Sequence, residues 1–89
     1  MNDHLDTHSS PAALLTWLTR EIASTLEVAP EKIDVDAEFD EFGLDSVQAV
    51  ALSGALSERL AQELPATLLY EHRSIRELAD FLGRGEGRP

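Results

Sequence analysis

Apolar residues recur at helical spacing in three segments of the chain. The first begins at Ser10-Pro11, a serine cap followed by proline at the first helical position, and predicts a helix that ends near Leu26. The second predicts a helix over residues 46–60. The last opens on the capping-box sequence Ser74-Ile75-Arg76-Glu77 and predicts a helix with Gly83 as its C-cap. The predicted core-facing residues are Leu14, Leu15, Leu18, Ile22 and Leu26, then Ala49, Leu52, Ser53, Leu56 and Leu60, and finally Ile75, Leu78, Ala79 and Leu82.

The segment between the first two helices, residues 27–44, lacks helical periodicity. Pro30 and alternating acids at positions 34, 36, 38 and 40 argue against a regular helix there. Its apolar residues predict an ordered loop pinned across the core: Val28, Ile33, Val35, Phe39, Phe42 and Leu44. A short third helix is expected within residues 66–71, with Leu68, Leu69 and Tyr70 facing inward. The predicted fold class is an all-α four-helix bundle with three main helices, one short third helix and a long loop between helices one and two.

The length and composition of the chain limit both its size class and its chemistry. Its 89 residues allow one small domain, predicted at 10–83, with flexible tails expected at 1–9 and 84–89. The absence of cysteine excludes disulfides, thiolate metal sites and a cysteine nucleophile. No apolar run is long enough to span a membrane, and the N-terminus lacks a signal-peptide pattern, so a cytoplasmic location is expected.

The formal net charge of −10 disfavours nucleic acid and anionic lipid as partners. Eight acids and one lysine lie between Glu27 and Asp45, which invites comparison with a calcium-binding loop. Such a loop needs glycine at its sixth position and glutamate at its twelfth, where this chain has Phe39 and Asp45. A strong calcium site is therefore not expected. A small acidic helical adaptor or calcium-responsive binding protein stays open as the alternative function.

The most informative stretch is Gly43-Leu44-Asp45-Ser46-Val47, which places one serine at the start of the second helix. No Gly-x-Ser-x-Gly elbow surrounds it, and the three histidines are scattered, so catalysis by the chain itself is not expected. A helix start does suit a phosphate, because free backbone N–H groups and the helix dipole converge there. The pattern therefore predicts a serine that another enzyme modifies.

One face of the second helix is apolar although it lies opposite the predicted core stripe. Val47, Val50, Ala51 and Gly54 fall on this side, which changes to Glu58 further along. Exposed valines next to such small residues favour a small contact patch, but the pattern alone leaves solvent and a partner equally open.

These features together resemble the acyl carrier proteins over residues 12–82. Residues 43–47 match that family's Gly-x-Asp-Ser-Leu motif, with Val47 in place of the usual leucine. Phe39-x-x-Phe42-Gly43 and Leu64-Pro65-x-x-Leu68-Leu69-Tyr70-Glu71-His72 are also similar to carrier domains. Most peptidyl carriers have histidine before the serine, so Asp45 indicates a polyketide-synthase-like carrier or one paired with an acyl-AMP ligase. A stand-alone carrier and an excised domain both fit.

The resemblance implies that Ser46 carries 4′-phosphopantetheine, attached by a phosphopantetheinyl transferase. Acyl groups would travel on it as thioesters between an acyl-AMP ligase or acyltransferase, a ketosynthase and other acyl-processing enzymes, with the carrier monomeric and without a metal. Asp45 would serve in transferase recognition, with Leu44 fixing the turn before it. The exposed face would be read by partners through Val47, Val50, Ala51, Gly54 and Glu58. Because Ala51, Gly54 and Ser57 stand where fatty-acid carriers often have acids, docking is expected to be more apolar and less salt-sensitive.

Overall fold

The computed structural model describes residues 10–83, which form helices and contain no β-strand. The elements, in chain order, are α1 (Pro11–Leu26), two short 3₁₀ helices (Pro30–Lys32 and Phe39–Phe42), α2 (Ser46–Leu60), α3 (Leu68–Glu71) and α4 (Ile75–Gly83). The predicted all-α bundle, with its short third helix and long first loop, is confirmed. The flexible tails expected at 1–9 and 84–89 lie outside the described residues.

The start and end of α1 are set by local hydrogen bonds. The Ser10 hydroxyl accepts from the Ala13 N–H at 3.2 Å, as the sequence predicts, and Pro11 opens the helix. The helix ends at Leu26, and the next residue, Glu27, caps it: its backbone is left-handed (φ 61°) and its N–H donates to carbonyls of the last turn. Between these two ends, α1 packs most extensively against α4 and also contacts α2.

The core is a single aliphatic cluster with one buried aromatic ring. All three predicted stripes face it, although Leu15, Leu26 and Leu60 lie at its edge and are only partly buried. Its buried members come from all four α-helices and from the loop: Leu14, Leu18, Ile22, Phe39, Ala49, Leu52, Leu56, Leu69, Ile75, Leu78, Ala79 and Leu82.

Two residues predicted to pack inward are exposed instead. Val28 is 43% exposed because it follows the left-handed turn at Glu27, which directs the chain away from the core. Tyr70 is 64% exposed. Because α3 is one turn long and Leu69 takes its buried position, the next residue is rotated by about 100° toward solvent. The other loop anchors are at least partly buried, as predicted.

The long loop is fastened to the start of α4. The Phe39 N–H donates to the Arg73 carbonyl at 2.7 Å, and the Arg76 N–H donates to the Val35 carbonyl at 3.1 Å. Arg76 Nε lies 2.6 Å from an Asp36 carboxylate oxygen, and Arg73 Nη1 lies 3.8 Å from Glu38. These four contacts hold the loop over one end of the bundle.

The spacing of Arg73–Glu77 and Arg76–Asp80 predicts exposed i,i+4 ion pairs at the start of α4, and the structure corrects this prediction. In residues 10–83 the ion pairs of both arginines are made to the loop, not to Glu77 or Asp80. Ser74 caps α4 as predicted, accepting from the Glu77 N–H at 3.1 Å. The Glu77 carboxylate, however, reaches the N–H of Arg73, at 3.2 Å, instead of that of Ser74.

Gly83, expected as a C-cap, is the last residue of α4. A Cβ placed on it would lie 2.4 Å from the backbone nitrogen of Pro11. Glycine is required here because α4 ends directly against the start of α1.

Candidate functional site

The geometry of the site begins with the turn before α2. Gly43 has a left-handed backbone (φ 75°), a conformation that is strained for a residue with a side chain and unstrained for glycine. Asp45 then caps the helix: its carboxylate accepts from the Gln48 N–H at 2.8 Å, while the Gln48 side chain accepts from the Asp45 N–H at 3.0 Å. This reciprocal capping box fixes Ser46 as the first residue of α2.

Ser46 is exposed, and within residues 10–83 its hydroxyl makes no hydrogen bond. The neighbouring Asp45 carboxylate is engaged on Gln48. His72, the histidine of the described chain, stacks on Phe81 with ring centroids 4.1 Å apart. No base is thus positioned to activate the serine within the described part of the chain. The hydroxyl is accessible to an enzyme that approaches from solvent.

The start of α2 has the features that hold a phosphodiester. The N–H groups of Ser46 and Val47 lie in the first turn, where no preceding helical carbonyl can accept from them. These N–H groups lie at the helix N-terminus, which is the positive end of the helix dipole. The residues present therefore fit a phosphate-linked prosthetic group on the serine oxygen.

The face predicted for partners is exposed. Val47 and Val50 are 76% and 59% exposed, far more than the leucines on the opposite side of α2. Ala51, Gly54 and Glu58 are exposed as well. Together these five residues form the α2 face: Val47, Val50, Ala51, Gly54 and Glu58.

Ser57, one of the positions compared with fatty-acid carriers, lies outside that face. It is half-buried; its hydroxyl donates to the Ser53 carbonyl at 2.8 Å and accepts from the Leu64 N–H at 3.0 Å. Its role is to hold the connection between α2 and α3.

A cleft of about 220 Å³ opens next to the start of α2. Leu44, the residue expected to fix the turn, is partly buried against the core and lines this cleft. The other lining residues are Glu38, Phe39, Asp40, Ala49, Leu69, Tyr70 and Arg73.

Sequence reasoning missed two features of the site. The capping role of Asp45 was readable from Asp45-x-x-Gln48, a capping-box sequence. The cleft had no such signal, because its walls come from the loop, two helices and the segment before α4, which only folding brings together.

The described residues contain neither a metal-binding cluster nor a membrane-spanning helix. Within 10–83, no three His, Cys, Asp or Glu side chains are grouped so as to hold a metal ion, which gives the calcium-responsive alternative no support. Nor does this part of the chain contain a helix long and apolar enough to cross a bilayer.

Comparison with known proteins agrees with this geometry. The family described as "Phosphopantetheine attachment site" matches residues 16–82. The polyketide synthase PksR of Bacillus subtilis is 33% identical over 90 residues, covering 96% of this chain, and the erythronolide synthase EryA3 of Saccharopolyspora erythraea is 37% identical over 78 residues, covering 88%. The chain spans only 4% and 2% of the length of these two relatives.

A solved structure shares the whole fold. A free-standing peptidyl carrier protein from a secondary metabolic pathway of Acinetobacter baumannii is 33% identical and superposes with a TM-score of 0.82, covering 88% of this chain and 98% of its own. This chain therefore belongs to the phosphopantetheine attachment-site family, whose members bind 4′-phosphopantetheine as a prosthetic group and serve as carriers for partner enzymes.

Proposed function

We propose that this chain tethers acyl intermediates as thioesters on a 4′-phosphopantetheine arm at Ser46 and delivers them to partner enzymes of polyketide or related secondary-metabolite biosynthesis. The observation that carries the proposal is the position of Ser46: exposed, first in α2 and without a base. The pathway is supported by similarity to segments of two polyketide synthases.

The residues around Ser46 have distinct roles in this proposal. The Asp45–Gln48 box holds the first turn rigid, so that the serine is presented in one orientation. The open N–H groups of that turn favour the phosphate. When bound, the arm supplies the thiol that a chain without cysteine lacks. The chain itself performs no catalysis.

The partners proposed are a phosphopantetheinyl transferase, an acyl-AMP ligase or acyltransferase, and a ketosynthase or other acyl-processing enzyme. Leu44 and Asp45 present the serine to the transferase, and the α2 face contacts the acyl-processing partners. Because most of that face is apolar and small, docking depends little on salt. A cytoplasmic location and a monomeric state, expected from the sequence, belong to the same proposal.

Intact-mass measurement after incubation with coenzyme A and a promiscuous transferase tests the attachment site. The unchanged protein should gain one phosphopantetheine, and Ser46→Ala should gain none, because it lacks the acceptor oxygen. Ser24→Ala, which changes an exposed serine in the last turn of α1, is the matched control and should be modified normally. An adduct that persists in Ser46→Ala would reject the site.

The α2 face is tested separately with Val50→Asp. A carboxylate at the centre of an apolar contact should lower partner turnover of the loaded carrier by about tenfold, roughly 1.4 kcal/mol. Far-ultraviolet circular dichroism should show unchanged helicity. Val28→Asp changes an exposed valine outside the α2 face and should leave turnover unaltered. Equal turnover in Val50→Asp and the unchanged protein would remove the functional role of this face.

A further inference from the structure

The side chain of Gln48 lies at the first turn of α2, the turn that begins with Ser46. Its Oε1 accepts from the Asp45 N–H at 3.0 Å, and the Gln48 N–H donates to the Asp45 carboxylate at 2.8 Å. A backbone N–H can only donate, so the side-chain atom that it meets is the oxygen. The amide nitrogen of Gln48 is bonded to the same carbon and is therefore held at this turn as well.

The Gln48 amide nitrogen supplies hydrogen-bond donors that the capping box does not use. It carries two N–H groups, and within residues 10–83 neither makes a hydrogen bond. They add to the backbone N–H groups of Ser46 and Val47, which have no carbonyl partner in the helix. A group attached to the Ser46 oxygen thus begins in the turn that carries both sets of donors.

The charges along α2 make a neutral side chain at position 48 significant. A phosphodiester on Ser46 would be negative, and the Asp45 carboxylate is already present at the N-cap. The basic residue of α2 is Arg59, in its last turn. It lies about 20 Å further along the helix, beyond the screening length of about 8–10 Å. Within α2, N–H donors and the helix dipole are therefore what balances the charge of the phosphodiester.

Glutamate at position 48 would be the better cap for the unmodified helix. It closes a capping box as glutamine does, and its charge is favoured near a helix N-terminus. The start of α4 has such a residue, Glu77, three positions after the Ser74 cap. Next to a phosphodiester, however, a glutamate at position 48 would add a third negative charge within the screening length. Glutamine keeps the box and replaces this repulsion by donation.

Building on the proposed function, we propose that the side-chain amide of Gln48 donates a hydrogen bond to the phosphodiester on Ser46, and that the Asp45–Gln48 box thereby couples attachment of the arm to the stability of α2. The two ends of one amide have separate roles. The oxygen caps the helix in both forms of the protein, and the nitrogen binds the phosphate in the modified form.

Proton–nitrogen NMR of the unchanged protein tests the contact directly. The chain has two glutamines, Gln48 and Gln62, so each side-chain NH₂ pair is readily assigned. Attachment of the arm, verified by intact mass, should move the Gln48 NH₂ proton signals downfield, because a proton donated to a phosphate oxygen is deshielded. The Gln62 pair, which follows the far end of α2, should stay in place.

A charge substitution tests the coupling to stability. Urea denaturation at pH 7 compares Gln48→Glu with the unchanged protein, each with and without the arm. Without the arm, the variant should be at least as stable as the unchanged protein, since both the box and the dipole favour glutamate. Attachment should then raise the unfolding constant of Gln48→Glu by about threefold to tenfold relative to its effect on the unchanged protein, as expected for a charge repulsion at an exposed turn.

The matched control is Gln62→Glu, which makes the same change in charge beyond the far end of α2. Its unfolding constant should respond to attachment as that of the unchanged protein does. An equal response in Gln48→Glu and Gln62→Glu would overturn the proposal. So would Gln48 NH₂ signals that do not move in the fully modified protein, a measurement that needs no variant.

The mass measurement separates this proposal from the one on which it rests. A missing mass gain in the unchanged protein contradicts attachment at Ser46, and the Gln48 contact with it. A normal mass gain together with either of the two overturning results rejects the Gln48 contact alone and leaves the attachment site in place.

Discussion

Asp45 has two candidate roles, and the sequence alone does not distinguish between them. In the resemblance to carrier proteins it belongs to the motif that a transferase reads. In the structure its carboxylate also caps α2, through the hydrogen bond to the Gln48 N–H at 2.8 Å. A loss of modification in a variant at this position therefore has two physical explanations, a weakened helix start or a lost contact to the transferase.

Replacement by alanine and by asparagine distinguishes these explanations. Asp45→Ala should lower the free energy of unfolding by about 1 kcal/mol, because the cap acceptor is removed. Asp45→Asn keeps an acceptor oxygen and should stay within a few tenths of a kcal/mol of the unchanged protein. Urea denaturation measures both. If asparagine were as destabilising as alanine, the charge and not the cap would be the stabilising feature.

The rate at which the transferase modifies Asp45→Asn then tests recognition separately from helix capping. A well-folded Asp45→Asn protein that is modified slowly would assign the charge to the transferase contact. Normal modification would leave Asp45 with its structural role alone.

Among the elements, the helices were predictable from sequence and the contacts of the loop were not. The buried stripe from Leu14 to Ile22 follows from the helical spacing of apolar residues, which can be read directly from the sequence. Arg76, by contrast, pairs with Asp36, forty residues away in sequence, instead of with Asp80 one helical turn on. The spacing of charged residues along a helix predicts only ion-pair partners that are close in sequence. The actual partner is selected when the loop crosses the bundle.

Tyr70 illustrates the same limit within the site. Apolar neighbours at 68 and 69 predict an inward position, yet a one-turn helix has room for one buried side chain. The exposed ring thereby becomes part of the cleft. Ser46, the proposed attachment site, was predictable from a local motif, while the cavity next to it depends on tertiary contacts.

The loop-to-α4 contact predicts a measurable titration. The hydrogen bond from Arg76 and the attraction of its charge hold the pKa of Asp36 below its usual value. Arg76→Met should raise that pKa toward the ordinary value of about 3.9, as followed by carbon NMR of the carboxyl group. Arg20→Met, which removes an exposed arginine of α1, should leave it unchanged. An identical Asp36 titration in Arg76→Met would show that the pair is not formed in solution.

The sign of the associated stability change follows from the lowered pKa. A carboxyl whose pKa is depressed by folding stabilises the folded state above its ordinary pKa, and the stabilisation is lost as pH falls through the folded-state pKa. Asp36→Asn should therefore destabilise the protein at neutral pH and have no effect in strong acid. The pair is exposed, so the neutral-pH effect is small.

At the scale of the whole molecule, the bundle is closed where α4 meets α1. The two helices form the most extensive helix–helix contact of the fold, and at its end Gly83 lies directly against Pro11. The atoms nearest to that Cβ are the backbone and ring of Pro11, which cannot move aside as the end of a flexible side chain could. The packing at this closure therefore depends on the missing Cβ of one residue.

Two glycine substitutions should shift stability in opposite directions. Gly83→Ala places a Cβ 2.4 Å from Pro11 N and should lower the free energy of unfolding by about 1–3 kcal/mol, the usual cost of overpacking. Gly54→Ala meets no atom within 4 Å and lies inside α2, so it should raise that free energy by roughly 0.5–1 kcal/mol. Urea denaturation measures both. A neutral Gly83→Ala would mean that the ends of α1 and α4 separate easily.

Trp17 gives the contact between α1 and α2 an optical signature. It is the single tryptophan of the chain, it is half-buried, and the Arg59 guanidinium lies 5.3 Å from its ring centroid. When α2 separates from α1, the ring loses this cation and gains water, so its emission should move to longer wavelength. Intrinsic fluorescence thus reports opening of the bundle without a label.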